Sequence, residues 1–283
     1  MLHKKDLQLT NEFYDKHATV YYDTNIVPRA AILYFHGGGL LYGSRKDLPE
    51  LHLRTLTNAG FVLIAYDYPL APAAKVDLIL NDVCQSIQDY CKNNTKYTDS
   101  PLPYFLWGRS AGAYLCLLAA ASGSLAQPPL GLLSYYGYGF LCDNWFNQPS
   151  PYYCTLPQVP GTCLSKISSE LHASGSLDTH YSAYVYARQS GKWLSQFFEG
   201  REKHFYLNFT LRLCEKMPCP LFCAHSTGDT DVPFAEFTEL TNRYNPTRFV
   251  ASGSVHDFDR DETSDAAIRL LDATVNFLNS ILE

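Results

Sequence analysis

Two hydrophobic periods alternate along this chain. Ala30–Phe35 and Phe61–Tyr66 are unbroken apolar runs of strand length, the pattern of parallel strands covered on both faces. Residues 11–35 as a whole read as an opening helix or loop followed by strands. Asp47–Ala59 has helical spacing and meets a stop at Gly60. Val76–Tyr90 places Ile79, Leu80, Val83, Cys84 and Ile87 on one helical face. Tyr104–Trp107 is a short β-prone run, and Ala113–Ala121 after it is a strong helix former. Leu130–Tyr135 is the next strand. From about Phe140 to Leu213 the alternation stops, and Tyr, Phe, Ser and Pro dominate, with a helical piece at Ala183–Phe198. Strands return at Pro220–His225 and Thr247–Ala251. The last helix carries a stripe of Ile268, Leu271, Val275, Leu278 and Leu282. Strands alternating with helices predict an α/β fold with a mostly parallel central sheet and helices on both faces.

Composition narrows the class. A chain of 283 residues, 46% hydrophobic, suits one large α/β domain. The net charge of -6, without a Lys/Arg-rich block, argues against nucleic acid as a partner. The two N-terminal lysines precede no apolar stretch, so no secretory signal is expected, and no run is long enough to span a membrane. A soluble cytoplasmic protein is the default expectation. Nine cysteines call for a metal test. Cys219 and Cys223 stand roughly 13 Å apart at strand rise, and Cys84 and Cys91 about 10 Å apart at helix rise. Neither pair can share one ion, so reduced, mostly buried thiols and no metal or organic cofactor are expected.

Candidate chemistry centres on Gly108-Arg109-Ser110-Ala111-Gly112, the one G-x-S-x-G of the chain. It lies between a predicted strand and a predicted helix, the context of a nucleophile elbow. Such a turn strains the serine and sets its hydroxyl at a helix N-terminus, where developing negative charge is favoured. Upstream, the strand Ala30–Phe35 runs into His36-Gly37-Gly38-Gly39. Backbone N–H groups of Gly37 and Gly38, with that of Ala111, are the candidate donors to an oxyanion, and Gly39 is the alternative among the glycines. His36 reads as a brace for that loop. Downstream, Asp229 follows one strand and His256 follows another. The order Ser, Asp, His is that of the α/β-hydrolase triad and not of the chymotrypsin or subtilisin types.

Taken together, these segments resemble a serine esterase of the α/β-hydrolase superfamily, in the hormone-sensitive-lipase-like carboxylesterase branch that carries HGGG. The resemblance rests on His36-Gly-Gly-Gly39, Asp67-Tyr-Pro-Leu-Ala-Pro72, Gly108-Arg-Ser-Ala-Gly112, Gly228-Asp-Thr-Asp-Val-Pro233 and His256-Asp-Phe258. Leu41-Tyr-Gly-Ser44 and Arg45-Lys-Asp-Leu-Pro49 resemble small hydrolases of Gram-positive bacteria. Two positions depart from the branch: Arg109 stands where an acidic residue is usual, and Ala73 where Glu is usual. The resemblance implies a single α/β-hydrolase domain over 1–283, with 140–213 inserted as a cap.

It also implies roles. Ser110 is the expected nucleophile, His256 the base and Asp229 the acid, since Asp229 has the family's spacing to Val232 and Pro233. Asp231 is the alternative acid, and nearer the next helix it is expected to cap or charge-stabilise that N-terminus. Asp257, Asp259 and Asp261 read as solvated loop charges. Arg109 either pairs with an acid or recognises a substrate carboxylate. Tyr135, Tyr136, Tyr138, Phe140, Trp145 and Phe146 either pack the cap on the core or wall a substrate pocket. A closed, aromatic-lined site suits acyl groups of roughly two to six carbons. The expected activity is hydrolysis of short-chain acyl esters, the partner a small-molecule ester, with a homo-oligomer open. Amide, peptide or arylformamide hydrolysis on the same triad is the alternative, and a non-catalytic binding protein on a hydrolase scaffold a third.

Overall fold

The computed structural model describes residues 1–283. Its eight strands are β1 (Leu2–Leu9), β2 (Lys16–Asp23), β3 (Ala30–Phe35), β4 (Phe61–Tyr66), β5 (Tyr104–Arg109), β6 (Leu132–Tyr135), β7 (Leu221–Ser226) and β8 (Thr247–Ala251). They form one sheet in the order β1-β2-β4-β3-β5-β6-β7-β8. From β4 to β8 every pairing is parallel, and β1 and β2 join as antiparallel strands. The helices are α1 (Glu50–Asn58), α2 (Val76–Asn93), α3 (Ala111–Ala121), α4 (His180–Ser190), α5 (Trp193–Phe197), α6 (Glu202–Asn208), α7 (Phe234–Tyr244) and α8 (Asp265–Leu282).

Alternation along the strands sets the layers. In β3, Ala31, Leu33 and Phe35 join one apolar core, while Ala30, Ile32 and Tyr34 join another. Because a strand sends successive side chains to opposite faces, these are the two faces of the sheet. On the first, the core is completed from α2, α3 and α7. On the second, Leu53 and Leu56 of α1 and Leu270, Phe277 and Leu278 of α8 complete it. Burial on both faces explains why the central strands are apolar throughout. Helix α3 is buried almost all round, as a helix enclosed in a core must be.

Two expectations are corrected and one strand is added. β1 lies before the first segment to which the sequence assigned an element. Its Lys4, Lys5 and Asp6 are exposed on the sheet edge, so it pairs through backbone and shows no apolar period. The helix expected over 183–198 is two helices, α4 and α5. Gly191 between them has φ of +66°, a left-handed stop that favours glycine. In α8 the buried face is Ala267, Leu270, Leu271, Thr274, Phe277 and Leu278. Ile268 is 46% exposed, one position out of phase with the true stripe.

Between β6 and β7 the chain leaves the sheet. Residues 140–213 form α4, α5, α6 and several short 3-10 turns. Trp145 stacks on Trp193 with ring centres 5.3 Å apart, and the Arg188 guanidinium lies 4.9 Å over Trp145. No helix is long and apolar enough to cross a membrane. All nine cysteines are free thiols; Cys84, Cys116, Cys163 and Cys223 are buried and Cys154 is exposed.

Candidate active site

The site forms where the parallel strands end, at the carboxyl edge of the sheet, as in open α/β sheets generally. β5 delivers Ser110 directly to the N-terminus of α3. Ser110 has φ of +51° and ψ of -117°, a conformation rare for a residue with a side chain. The turn closes tightly because of Gly112. A Cβ there would stand 2.0 Å from the carbonyl oxygen of Phe35. The Ala111 N–H opens α3 and has no partner within the helix.

The β3 strand ends against this turn. Gly38, at φ of +101°, is pressed so close to the Tyr42 carbonyl that a Cβ would lie 2.0 Å from its oxygen. Its own carbonyl accepts from the N–H groups of Leu41 and Tyr42 at 3.0 and 3.1 Å. Gly37 stands beside the nucleophile, where a Cβ would meet that of Ser110 at 3.3 Å. His36 is buried under the loop, with Nδ1 2.7 Å from the Gly37 carbonyl and its ring stacked on Tyr68. It braces the turn.

Asp229 follows β7 and His256 follows β8. His256 Nε2 lies 2.9 Å from Ser110 Oγ, and His256 Nδ1 lies 2.6 Å from Asp229 Oδ2. The other carboxylate oxygen, Asp229 Oδ1, accepts from the N–H groups of Asp231 and Val232 at 2.8 and 2.9 Å. His225 Nε2 adds a contact of 3.2 Å. Burial alone disfavours the Asp229 charge, yet His256 and His225 outweigh it and hold the carboxyl well below its usual range. Burial likewise lowers the pKa of His256, but Asp229 outweighs that, helped by Asp231 and Asp257, and the imidazole is raised to about 9.

Asp231 takes a different partner. Arg188 Nη1 donates to its carboxylate at 2.7 Å, as does the Tyr184 hydroxyl at 2.7 Å. The capping role expected of it is therefore corrected: α7 has no side-chain cap, and Asp231 instead ties α4 to the loop that bears Asp229. Trp193 Nε1 donates to the Gly39 carbonyl at 2.9 Å. Segment 140–213 thus grips both the acid loop and the glycine turn.

Asp259 is a second correction. Expected in solvent, it is 0% exposed. Its Oδ1 accepts from Arg109 Nη2 at 3.1 Å and from the Tyr136 hydroxyl at 2.9 Å, and its Oδ2 lies 2.9 Å from His52 Nε2. Asp257 and Asp261 are the loop charges nearer solvent, Asp257 paired with Arg260 at 2.7 Å. Arg109 immediately precedes Ser110, and Asp259 lies three residues after His256. One buried ion pair therefore joins the two loops that must meet, which accounts for a basic residue at position 109. Breaking such a pair leaves a buried charge alone. Arg109→Met is expected to lower stability by about 3 to 5 kcal/mol, read from chemical denaturation. A loss under 1 kcal/mol would show the pair to be dispensable.

The cavity over Ser110 has a volume of about 420 Å³. Its walls include Ser44, Asp47, Arg109, Tyr136, Ser174 and Ser176 beside the glycine turn. Of the six aromatics weighed from sequence, Tyr136 alone faces it. Trp145 and Phe146 pack within the insert, the packing alternative, and the cavity wall is largely polar. Ser44 and Asp47 lie in the two segments that resemble small Gram-positive hydrolases, but nothing there marked a cavity wall, and Ser174–Leu177 carried no signal until the fold brought them together. With this geometry an imidazole can take a proton from a serine hydroxyl beside a turn of backbone donors, the arrangement acyl transfer needs.

Known proteins agree with the fold. Residues 32–150 match the model of a family described as having the alpha/beta hydrolase fold. A Staphylococcus aureus protein of unknown function is 28% identical, with a TM-score of 0.83 and coverage of 100% of both chains. An alpha/beta hydrolase superfamily protein from Enterococcus faecalis is 25% identical, with a TM-score of 0.85, over 98% of this chain and 99% of that one. Esterases at 16–17% identity share the fold. Among curated proteins, the non-reducing polyketide synthase adrD of Penicillium roqueforti is 28% identical over 165 residues, 50% of this chain. The chain spans only 6% of that synthase's length. Sheet order, family match and full-length structural neighbours give this chain the α/β-hydrolase fold.

Proposed function

We propose that this protein is a serine carboxylesterase that hydrolyses short acyl esters through Ser110, His256 and Asp229. The observation that carries the reading is the unbroken hydrogen-bonded chain from Asp229 through His256 to Ser110 Oγ, set at a helix N-terminus against the glycine turn. His256 takes the Ser110 proton as Oγ attacks the carbonyl carbon, and Asp229 fixes the tautomer and stabilises the imidazolium. The N–H groups of Gly37, Gly38 and Ala111 hold the tetrahedral oxyanion, each such donor contributing about 3 kcal/mol to the transition state. His256 then protonates the departing alcohol, and water repeats the cycle on the acyl-enzyme. In this reading residues 140–213 act as a cap. The Arg188–Asp231 and Trp193–Gly39 bonds make that cap a fixed wall and not a hinged lid.

A screen of matched esters and amides, with fluorophosphonate labelling, tests the proposal. Ester turnover with labelling at Ser110 supports it. Amide turnover exceeding ester turnover, or an unlabelled serine, would overturn it.

The pH dependence follows from His256. Only neutral imidazole accepts the serine proton, so kcat/KM is expected to climb with pH toward a limb near about 9. Stability runs the opposite way. The raised imidazole contributes its full stabilisation below its ordinary value of 6.5 and loses it as pH rises through about 9, the unfolded chain binding fewer protons in that window. A kcat/KM profile and melting temperatures across this range check both. Activity already flat from pH 6.5 upward would contradict the raised value.

A further inference from the structure

Two cavities meet at His256, and they differ in chemistry. The one holding Ser110 and the glycine turn has hydroxyl and charged walls. Every charge on those walls has a counterpart. Asp47 accepts from the Tyr34 hydroxyl at 2.8 Å and faces Arg109 at 3.7 Å. Asp231 pairs with Arg188, and Asp257 with Arg260. The wall is therefore rich in hydrogen-bonding groups yet locally neutral.

The second cavity, of about 440 Å³, touches His256 but neither Ser110 nor the glycine turn. Tyr152, Tyr153, Tyr181 and Val255 line it and not the first, while Tyr42, Leu177 and the charged Asp231, Asp257 and Arg260 border both. Tyr42 and Tyr181 meet edge to face at 5.3 Å, and Tyr152 and Tyr153 at 5.2 Å, so the rings are held in place before anything binds. At its mouth Leu177 is 69% exposed, Val255 58% and Tyr152 43%. Aromatic and aliphatic side chains left open here, among charges that already have partners, mark a place for an aromatic group.

Chemistry assigns the two sides. The acyl carbon becomes bonded to Ser110 Oγ, so the acyl group must fit in the cavity that holds Ser110. The C–O bond to the alcohol breaks, and the alcohol oxygen takes the proton that His256 Nε2 removed from Ser110, so that oxygen lies beside Nε2 and the rest of the alcohol can run into the cavity that shares His256. Resting on the esterase reading above, we infer that the substrates are esters of a small hydroxylated acid with an aromatic alcohol. The flat ring lies among Tyr42, Tyr152 and Tyr181, and the acyl hydroxyl bonds the polar wall around Ser44, Ser174 and Ser176. Water later supplies hydroxide to the acyl carbon and returns the proton to Ser110, so the products are the free acid and the free alcohol.

Four esters test this on the purified chain: benzyl glycolate, cyclohexylmethyl glycolate, benzyl propanoate and cyclohexylmethyl propanoate. Glycolate and propanoate are nearly isosteric and differ in one hydroxyl. Benzyl and cyclohexylmethyl alcohols leave with similar ease and differ in flatness. Each kcat/KM is divided by that ester's own hydroxide-catalysed rate, which removes intrinsic reactivity. One well-formed aromatic contact is expected to favour benzyl by about 3- to 10-fold, and one neutral hydrogen bond to favour glycolate by a similar factor. In Tyr152→Ala and Tyr181→Ala the benzyl-to-cyclohexylmethyl ratio is expected to fall toward one, with melting curves run beside each. Equal rates on benzyl and cyclohexylmethyl esters, a preference for propanoate, or a benzyl preference that survives both variants would overturn the inference while the esterase reading stands. Fluorophosphonate labelling of Ser110 without hydrolysis of any of the four also overturns it. No labelling and no ester turnover would instead remove the esterase reading beneath it.

Discussion

Ser110→Ala is expected to abolish ester turnover, lowering kcat by about 10⁶, while the protein folds as before. The size follows from the unit that the residue completes. Asp229 and His256 act on the substrate only through Ser110 Oγ, so removing the oxygen idles both. Folding is expected to survive because the hydroxyl has a single side-chain partner, His256 Nε2 at 2.9 Å. The strained backbone at φ of +51° is imposed by the strand and helix on either side, and alanine bears it as serine does. Three readouts belong together: kcat on the best ester, fluorophosphonate labelling and a melting curve. Labelling that persists in the alanine variant would place the nucleophile elsewhere, and a collapsed melting transition would mean that lost turnover reports unfolding.

Asp229→Asn is expected to cost about 10⁴ in kcat. The reason is tautomeric. Asp229 Oδ1 is held by the N–H groups of Asp231 and Val232, which an asparagine oxygen satisfies equally well. The amide nitrogen must then take the place of Oδ2 and present N–H to His256 Nδ1. That stabilises the imidazole with its proton on Nε2, where it cannot accept the serine proton. Asp231→Asn tests the same loop without this effect. It breaks the Arg188 pair and is expected to lower stability by about 3 to 5 kcal/mol while kcat stays within roughly tenfold of wild type, as befits a group outside the reacting chain. The two aspartates thus separate by which property falls, read from kcat and denaturation on the same preparations. The reverse ranking in kcat would make Asp231 the acid.

How far the chain could be read without its fold depended on the range of the interactions involved. Local signals served well. The strands at 30–35 and 61–66 coincide with apolar runs, because a strand buried on both faces has no freedom to be polar. The order Ser110, Asp229, His256 and the three strand ends that bear them follow from glycines and apolar runs within a few residues of each. The edge strand β1 was invisible because its middle residues, Lys4, Lys5 and Asp6, are exposed and leave no apolar period. On α8, Leu271 and Leu278 were placed correctly, but Ile268 was taken for Ala267 because Ala267 and Thr274 fill places against the sheet that a count of large apolar residues passes over.

What stayed hidden was every feature made by residues far apart in the chain. Asp259 looks like Asp257 and Asp261 in sequence, yet it alone turns inward to Arg109, 150 positions away. Asp231 looks like a helix cap until α4 supplies Arg188. The aromatics of the insert read equally as packing or as a pocket wall, and Trp145 and Phe146 pack, against Trp193 and Tyr206. The reaction centre is instead walled by serines and tyrosines from four separate loops. A nucleophile elbow is a local strain and must be written in adjacent residues. A buried ion pair or a substrate wall is a meeting of surfaces, and only folding brings their charges and rings within a few ångströms.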